Sequence, residues 1–146
     1  MKPRAAWLVL AKKARQKCDE AQSNLIKARE RVHQLQASRE RMANVHADCL
    51  QRSRQAERKR HNMAETLNFR GFMQQIQNLI ARVDIDLQQA IQHHQSMKAA
   101  LLVAEKERIQ LETLMHEDLK RVRHDHHKRE QRELDAAGVM LHNLKY

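Results

Sequence analysis

The fold is decided by the stretch from Met73 to Val122, MQQIQNLIARVDIDLQQAIQHHQSMKAALLVAEKERIQLETLMHEDLKRV. Apolar residues recur in it at alternating spacings of three and four. A 3.5-residue repeat sustained over about seven heptads is typical of a coiled-coil seam, which requires a partner helix of similar length. Apart from His94, Arg108 and Asp118, every position of the stripe is apolar. The stripe comprises Met73, Ile76, Ile80, Val83, Leu87, Ala90, His94, Met97, Leu101, Ala104, Arg108, Leu111, Met115, Asp118 and Val122.

The first half of the chain carries the same repeat and so supplies the partner helix. Its seam is rich in alanine, which allows two backbones to approach closely, and it is interrupted by Arg39, His46, Ser53 and Arg60. The predicted positions are Ala11, Ala14, Cys18, Ala21, Leu25, Ala28, Val32, Leu35, Arg39, Met42, His46, Cys49, Ser53, Ala56, Arg60 and Met63.

The composition supports long helices and a thin core. The 146 residues include 2 Gly and 1 Pro, with 3% aromatic and 32% charged residues. So few helix breakers leave room for few turns, and so few aromatic residues argue against a thick core. No apolar run is long enough to cross a membrane. We predict an all-α fold in which two long antiparallel helices form a coiled-coil hairpin. The alternative is one long helix that dimerises in parallel.

The turn between the helices is expected where turn residues cluster, between Asn62 and Gly71. We predict that Thr66 caps the second helix, which places Gly71 in its first turns at a cost of about 1 kcal/mol. The alternative turn is Asn68–Gly71. The predicted bounds are about 4–62 for helix 1, 62–66 for the turn and 67–142 for helix 2, within a single domain over residues 1–146.

The net charge of +10 is unevenly distributed. Residues 1–73 carry 17 Lys and Arg against 7 Asp and Glu, whereas residues 74–146 carry 11 of each kind. A strongly basic first helix points to an acidic partner surface. The basic run Arg52–His61 is the best argument for nucleic acid, but Cys49, Ala56 and Met63 continue the seam through it. We therefore expect salt-sensitive attraction to polyanions rather than sequence-specific DNA binding.

Both cysteines, Cys18 and Cys49, fall on the seam of the first half. If that half is one helix, the 31 residues between them span about 46 Å. This is too far for a disulfide within one chain, because a disulfide requires Cα atoms within about 7 Å. We expect buried, reduced thiols.

The sequence offers no motif for catalysis. It contains no glycine-rich phosphate loop and no nucleophile elbow. His124 and His127 share a helix face, as metal ligands do, but lysines and arginines surround them and no third ligand is positioned. We expect no cofactor, no metal site and no enzymatic activity.

Two apolar residues near the turn, Phe72 and Leu79, fall just outside the seam. The apolar face of helix 2 is therefore wider there than one partner helix covers. It forms either an exposed docking patch or a cluster in which Phe69 and Phe72 pack against helix 1. At the other end, Trp7 and Leu10 are expected to form an apolar cluster.

The start of helix 2, NFRGFMQQIQNLI at residues 68–80, and the segment REQRELD at residues 129–135 resemble the FliJ family of flagellar export proteins. That family includes the YscO-type stalk proteins of injectisomes. The likeness in layout covers nearly the whole chain. It implies a cytoplasmic, non-enzymatic component of a type III export apparatus, at the inner-membrane face. Its fold is similar to the coiled-coil part of the rotary ATP synthase γ subunit.

The resemblance also implies partners and contact residues. Both termini of family members insert into the ring of the export ATPase and promote its assembly and activity. An apolar stripe contacts the cytoplasmic domain of the export gate, and it falls here on Phe72, Ile76, Leu79 and Val83. Export chaperones are a further partner, and the membrane is reached only through partners. The family's contacts on helix 1, which are aromatic and polar, fall near Ser38, Met42, Val45 and Cys49, where this sequence has no aromatic residue.

Charge alone selects the candidate ring contacts, Arg4, Lys12, Lys13 and Arg15. Two alternative functions remain open. One is an export chaperone or a generic structural coiled coil, and the other is a basic coiled coil that binds nucleic acid.

Overall fold

The computed structural model describes the backbone of residues 3–59 and 63–144, and the side chains from residue 5 onward within these ranges. Two helices account for nearly all of them, α1 (Pro3–Arg58) and α2 (Met63–Leu144). The described ranges contain no strand. The two helices pack against each other, and this packing within one chain removes the need for a parallel dimer.

The start of α2 differs from the prediction. α2 begins at Met63, so Thr66 lies within its first turn and does not cap it. Methionine and alanine are strong helix formers, and an acidic Glu65 suits the positive end of the helix dipole, so an early start is favourable. α1 ends at Arg58, where the amide of Lys59 donates a hydrogen bond to the Ala56 carbonyl at 3.1 Å. Residues 60–62, where the predicted turn begins, lie outside the described residues.

α2 continues through both glycines. Gly71 lies in the third turn, which excludes the alternative turn at Asn68–Gly71. A Cβ added at Gly71 or at Gly138 would meet no atom within 4 Å. Neither glycine is therefore required by a close approach. Beyond Gly138 the helix extends to Leu144.

The chain divides into two packing units. The terminal unit contains Met1–Glu20 and Leu102–Tyr146, and the central unit contains Ala21–Leu101. Within each unit, part of α1 packs against part of α2. That the chain forms a single domain stays a prediction.

The central unit pairs its two helices antiparallel. His46 contacts Gln77 through their side-chain nitrogens at 3.2 Å, and Arg39 forms an ion pair with Asp84. Seven residues back along α1 thus correspond to seven residues forward along α2. The buried side chains are mostly small or aliphatic and lie at predicted seam positions. They are Ala28, Leu35, Cys49, Ser53, Ile76 and Ala90.

The terminal unit is also antiparallel. Ala14 and Cys18 are buried in its seam, and Arg15 contacts Glu112 at 3.5 Å. Further toward the start of α1, Trp7 lines a small cleft with Met115 and Leu119. The predicted all-α fold of two long, antiparallel paired helices is therefore confirmed.

The buried part of the seam ends before the apolar repeat of the sequence does. Every described residue from Lys120 to Leu144 is exposed, including Val122, so the seam position assigned to Val122 is wrong. α1 begins at Pro3, about one turn before Trp7. The last turns of α2 extend past this start of α1. Trp7 is half-buried as expected, whereas Leu10 is exposed.

Both cysteines are free and buried, as predicted. Cys18 lies in the terminal unit and Cys49 in the central unit. In the described part of the chain, neither helix contains a segment long and apolar enough to cross a lipid bilayer.

Candidate functional site

The predicted docking stripe is divided between the seam and the surface. Ile76 is only 5% exposed and Val83 is half-buried, so both contribute to the packing of α2 on α1. Phe72 and Leu79 are 49% and 48% exposed. The part of the stripe that another protein can reach therefore consists of Phe72 and Leu79.

Helix geometry places these two residues on one flank of the seam. A residue advances about 100° around an α-helix, so Phe72 and Leu79 lie about 40° and 60° to one side of Ile76. By the same count, Gln77 and Asp84 lie about 100° and 80° to the other side. The polar contacts to α1 therefore occupy one flank of the central unit, and the apolar pair occupies the opposite flank.

One residue of α1 joins the apolar flank. Val45 lies four residues before the buried Cys49 and is 47% exposed. Around α1 it lies about 40° to one side of Cys49, whereas His46 lies about 60° to the other side. The antiparallel register puts Val45 level with Asn78, next to Leu79 in the chain. We therefore define the apolar flank as Val45, Phe72 and Leu79.

The other α1 positions implied by the resemblance are less accessible. Cys49 is buried, and Ser38 and Met42 are half-buried. At about 100° per residue, Ser38 and Met42 both lie within about 20° of Cys49 around α1, so they share the face that packs on α2. Of the four positions named near this contact, Val45 is the one whose side chain is largely exposed.

A shallow apolar hollow lies close to the apolar flank. It is lined by Ala56, Glu65, Asn68, Phe69 and Phe72. Phe69 is half-buried there, whereas Phe72 stands at the edge with half of its surface free. Both readings of the phenylalanine pair thus describe part of the structure. Phe69 belongs to the cluster against α1, and Phe72 belongs to the exposed patch.

The candidate ring contacts lie on α1 of the terminal unit. Lys12, Lys13 and Arg15 are exposed, whereas the side chain of Arg4 lies outside the described residues. Lys12 and Arg15 line a groove between the helices, while Lys13 does not. The three side chains therefore do not form a single cluster.

A small ionic network surrounds Glu112 in the same unit. Arg108 donates hydrogen bonds to both carboxylate oxygens, at 3.1 and 3.3 Å, and Arg15 donates a third at 3.5 Å. The hydrogen bonds to Glu112, assisted by its charge, raise the pKa of Arg108. Because Arg108 is a seam position, these bonds provide partners for a cation that would otherwise interrupt an apolar stripe.

The basic run considered for nucleic acid remains part of the helix pair. Ser53 is buried and Ala56 half-buried, so the seam continues as far as Ala56. The seam position predicted at Met63 is wrong, because Met63 begins α2 and is 80% exposed. Arg52 is exposed and lies 4.0 Å from Asp48, one turn earlier. Arg60 and His61 lie outside the described residues.

The histidines of the C-terminal segment are exposed. His126 pairs with Glu130 at 3.1 Å, which is an ordinary contact between residues four apart on a helix. Among the described residues, no group of three or more His, Cys, Asp or Glu is arranged to hold a metal ion.

Comparison with known proteins identifies the family. The family model described as "FliJ: Flagellar FliJ protein" matches residues 8–145. No curated protein and no solved structure matches the chain. The matched residues extend from the start of the terminal groove, through the apolar flank, to the end of α2. The chain therefore belongs to the flagellar FliJ protein family, whose members are associated with type III protein export.

Proposed function

We propose that this chain is the non-enzymatic stalk of a type III export apparatus. Its terminal unit inserts into the ring of the export ATPase and activates it, and its central unit contacts the cytoplasmic domain of the export gate. The protein acts in the cytoplasm at the inner-membrane face and reaches the membrane through these partners. Family membership supports the assignment to a type III export apparatus, and the apolar flank supports the contact with the gate.

The gate contact is carried by one observation. Phe72 and Leu79 remain about half exposed although Ile76, between them, is buried. A helix pair gains nothing from two large apolar side chains kept in water. Covering the exposed half of each would contribute about 1 kcal/mol per residue. A partner that covers Val45, Phe72 and Leu79 together would therefore gain about 3 kcal/mol from the apolar flank, as one part of a larger interface.

The ring contact is supported by charge. Residues 1–20 carry six Lys and Arg against two Asp and Glu, and the described cations among them are exposed. Exposed cations attract an acidic surface, and salt screens the attraction. Arg4, Lys12, Lys13 and Arg15 are the proposed contacts. Binding and activation of the ATPase should therefore weaken as the salt concentration rises.

Substitution of Leu79 tests the gate contact. Leu79→Asp places a charge at the centre of the apolar flank and should abolish binding to a purified gate domain. The helix content should not change, because Leu79 is not part of the seam. Binding is measured by titration calorimetry, and helix content by circular dichroism.

Ile85 supplies the matched control. It is 60% exposed, and it lies on the same helix about 180° from Ile76, facing away from α1. Ile85→Asp introduces the same charge at a similar exposure and should bind the gate domain normally. Loss of binding in both variants would indicate a general charge effect. Normal binding by Leu79→Asp would refute the proposed contact.

A further inference from the structure

The terminal unit contains a second apolar surface that neither proposed contact requires. A groove between α1 and α2 has an apolar floor formed by Leu8, Ala11, Ile109 and Met115. Leu8 is 57% exposed and Ile109 is 54% exposed. Two large aliphatic side chains on opposite helices thus face solvent in one depression.

The rim of this groove is basic. Lys12, Arg15 and His116 line it, and Glu112 is the one acid among the described lining residues. Glu112 accepts two hydrogen bonds from Arg108, whose positive charge compensates it. Lys12 and Arg15 therefore leave the rim with net positive charge. The groove therefore presents positive charge around an apolar floor.

The length of the groove corresponds to about two turns of a helix. Its α1 side runs from Leu8 to Arg15 and its α2 side from Ile109 to His116, so each covers eight residues, or about 12 Å. A third helix placed between two paired helices buries one apolar stripe and presents its flanking positions to both rims. Acidic residues at those flanking positions would meet Lys12, Arg15 and His116.

We propose that this groove binds an acidic amphipathic helix of a partner protein. A second copy of this chain is a poor occupant because its terminal unit carries the same cations. Nucleic acid is also a poor occupant because it would leave Leu8 and Ile109 uncovered. Apolar floor and basic rim together select an apolar stripe flanked by carboxylates. This inference goes beyond the proposed function, although the rim of the groove shares Lys12 and Arg15 with the proposed ring contacts.

The test uses a synthetic peptide of about 14 residues, or two heptads, with leucine at the stripe positions and glutamate beside them. A second peptide has lysine in place of glutamate. Binding to the full chain is measured by fluorescence anisotropy at low and moderate salt. The acidic peptide should bind at least about tenfold more tightly than the basic one, since only it complements the rim. Equal binding of the two peptides would overturn the proposal.

Ile109→Glu locates the binding site. It places a carboxylate on the apolar floor and should weaken binding of the acidic peptide by about tenfold or more. Leu114→Glu is the control, because Leu114 is 45% exposed on the same helix but lies about 140° away around it. Circular dichroism checks that both variants are folded. Unchanged binding by Ile109→Glu, or equal losses in both variants, would contradict the proposal.

A matched pair of lysines tests the rim. Lys12→Glu should weaken binding of the acidic peptide most strongly at low salt, whereas Lys17→Glu, exposed but outside the groove, should have little effect. Sedimentation of the chain alone tests for a second copy as occupant. A dimer that Ile109→Glu abolishes would assign the groove to self-association and overturn the proposal. Since neither assay contains the ATPase or the gate, failure here leaves the proposed function untouched.

Discussion

Ile76 and Leu79 show how finely position determines the role of a residue in this protein. They are three residues apart on α2, both are aliphatic, and both fall on the stripe implied by the family resemblance. Ile76 is buried against α1, whereas Leu79 is about half exposed. Three residues amount to a rotation of about 300°, so Leu79 lies about 60° to one side of Ile76 around the helix. This offset is enough to move a side chain from the seam to its flank.

Substitution of Ile76 should therefore affect stability rather than recognition alone. Ile76→Asp buries an unpaired carboxylate in the seam, and we expect a loss of about 3 kcal/mol or more in the free energy of unfolding. Leu79→Asp should cost less than about 1 kcal/mol, because its carboxylate stays in water. Thermal melting followed by circular dichroism measures both. Equal melting temperatures for the two variants would mean that the seam register is wrong.

The residues proposed to contact a partner protein were harder to identify from the sequence than those of the seam. The 3-4 periodicity identifies most of the side chains that face the other helix, because burying that stripe is the main source of stability. It does not identify which flank residues stay exposed. The accessibility of Val45, compared with that of Met42 and Cys49, depends on the register of α1 against α2. That register is visible in contacts such as His46 with Gln77.

At the level of the helices, the periodicity predicted the pairing of α1 and α2 well, but the ends of the helices were predicted poorly. Thr66 was expected to cap α2, but a cap contributes only about 1 kcal/mol, and Met63, Ala64 and Glu65 favour helix strongly enough to displace it. Val122 continues the apolar repeat, yet it is 44% exposed and lies level with the first turn of α1. A repeat shows which side chains a helix is able to bury, but burial also depends on how closely the partner helix packs at its ends.

Gly71 is the clearest point at which a helix of this protein is weaker than it needs to be. It lies inside α2, and a Cβ there would meet no atom within 4 Å. Gly71→Ala should raise the free energy of unfolding by about 0.5–1 kcal/mol, because alanine loses less backbone entropy in a helix. Urea denaturation measures the change. A destabilised variant would show that Gly71 is needed for a backbone conformation or a contact that the structure does not contain.

At the scale of the whole molecule, charge and apolar surface are distributed differently. The first half of the chain holds the whole net charge of +10, while the apolar flank takes two of its three residues, Phe72 and Leu79, from the region where α2 starts. Salt should therefore separate the proposed contacts. Raising it should weaken the ring contact strongly and the gate contact weakly. A chain that merely bound polyanions would lose all binding steeply with salt.

The ring contact is best examined with two variants of equal charge. The first, the terminal variant, replaces Lys12, Lys13 and Arg15 with Glu. The second, the central variant, makes the same replacement at three exposed cations of α1 in the central unit, Lys27, Arg29 and Arg31. Both variants change the net charge by the same amount. A difference between them therefore depends on position.

The most direct test of the stalk proposal is the rate of ATP hydrolysis by a purified cognate export ATPase, measured with increasing amounts of this protein. We predict activation that saturates near one chain per ring, weakens with salt and persists with the central variant. Activation should be lost with the terminal variant and with a chain that lacks residues 1–15. No activation at low salt, or equal activation by the two variants, would contradict the proposal that the terminal unit acts inside the ring.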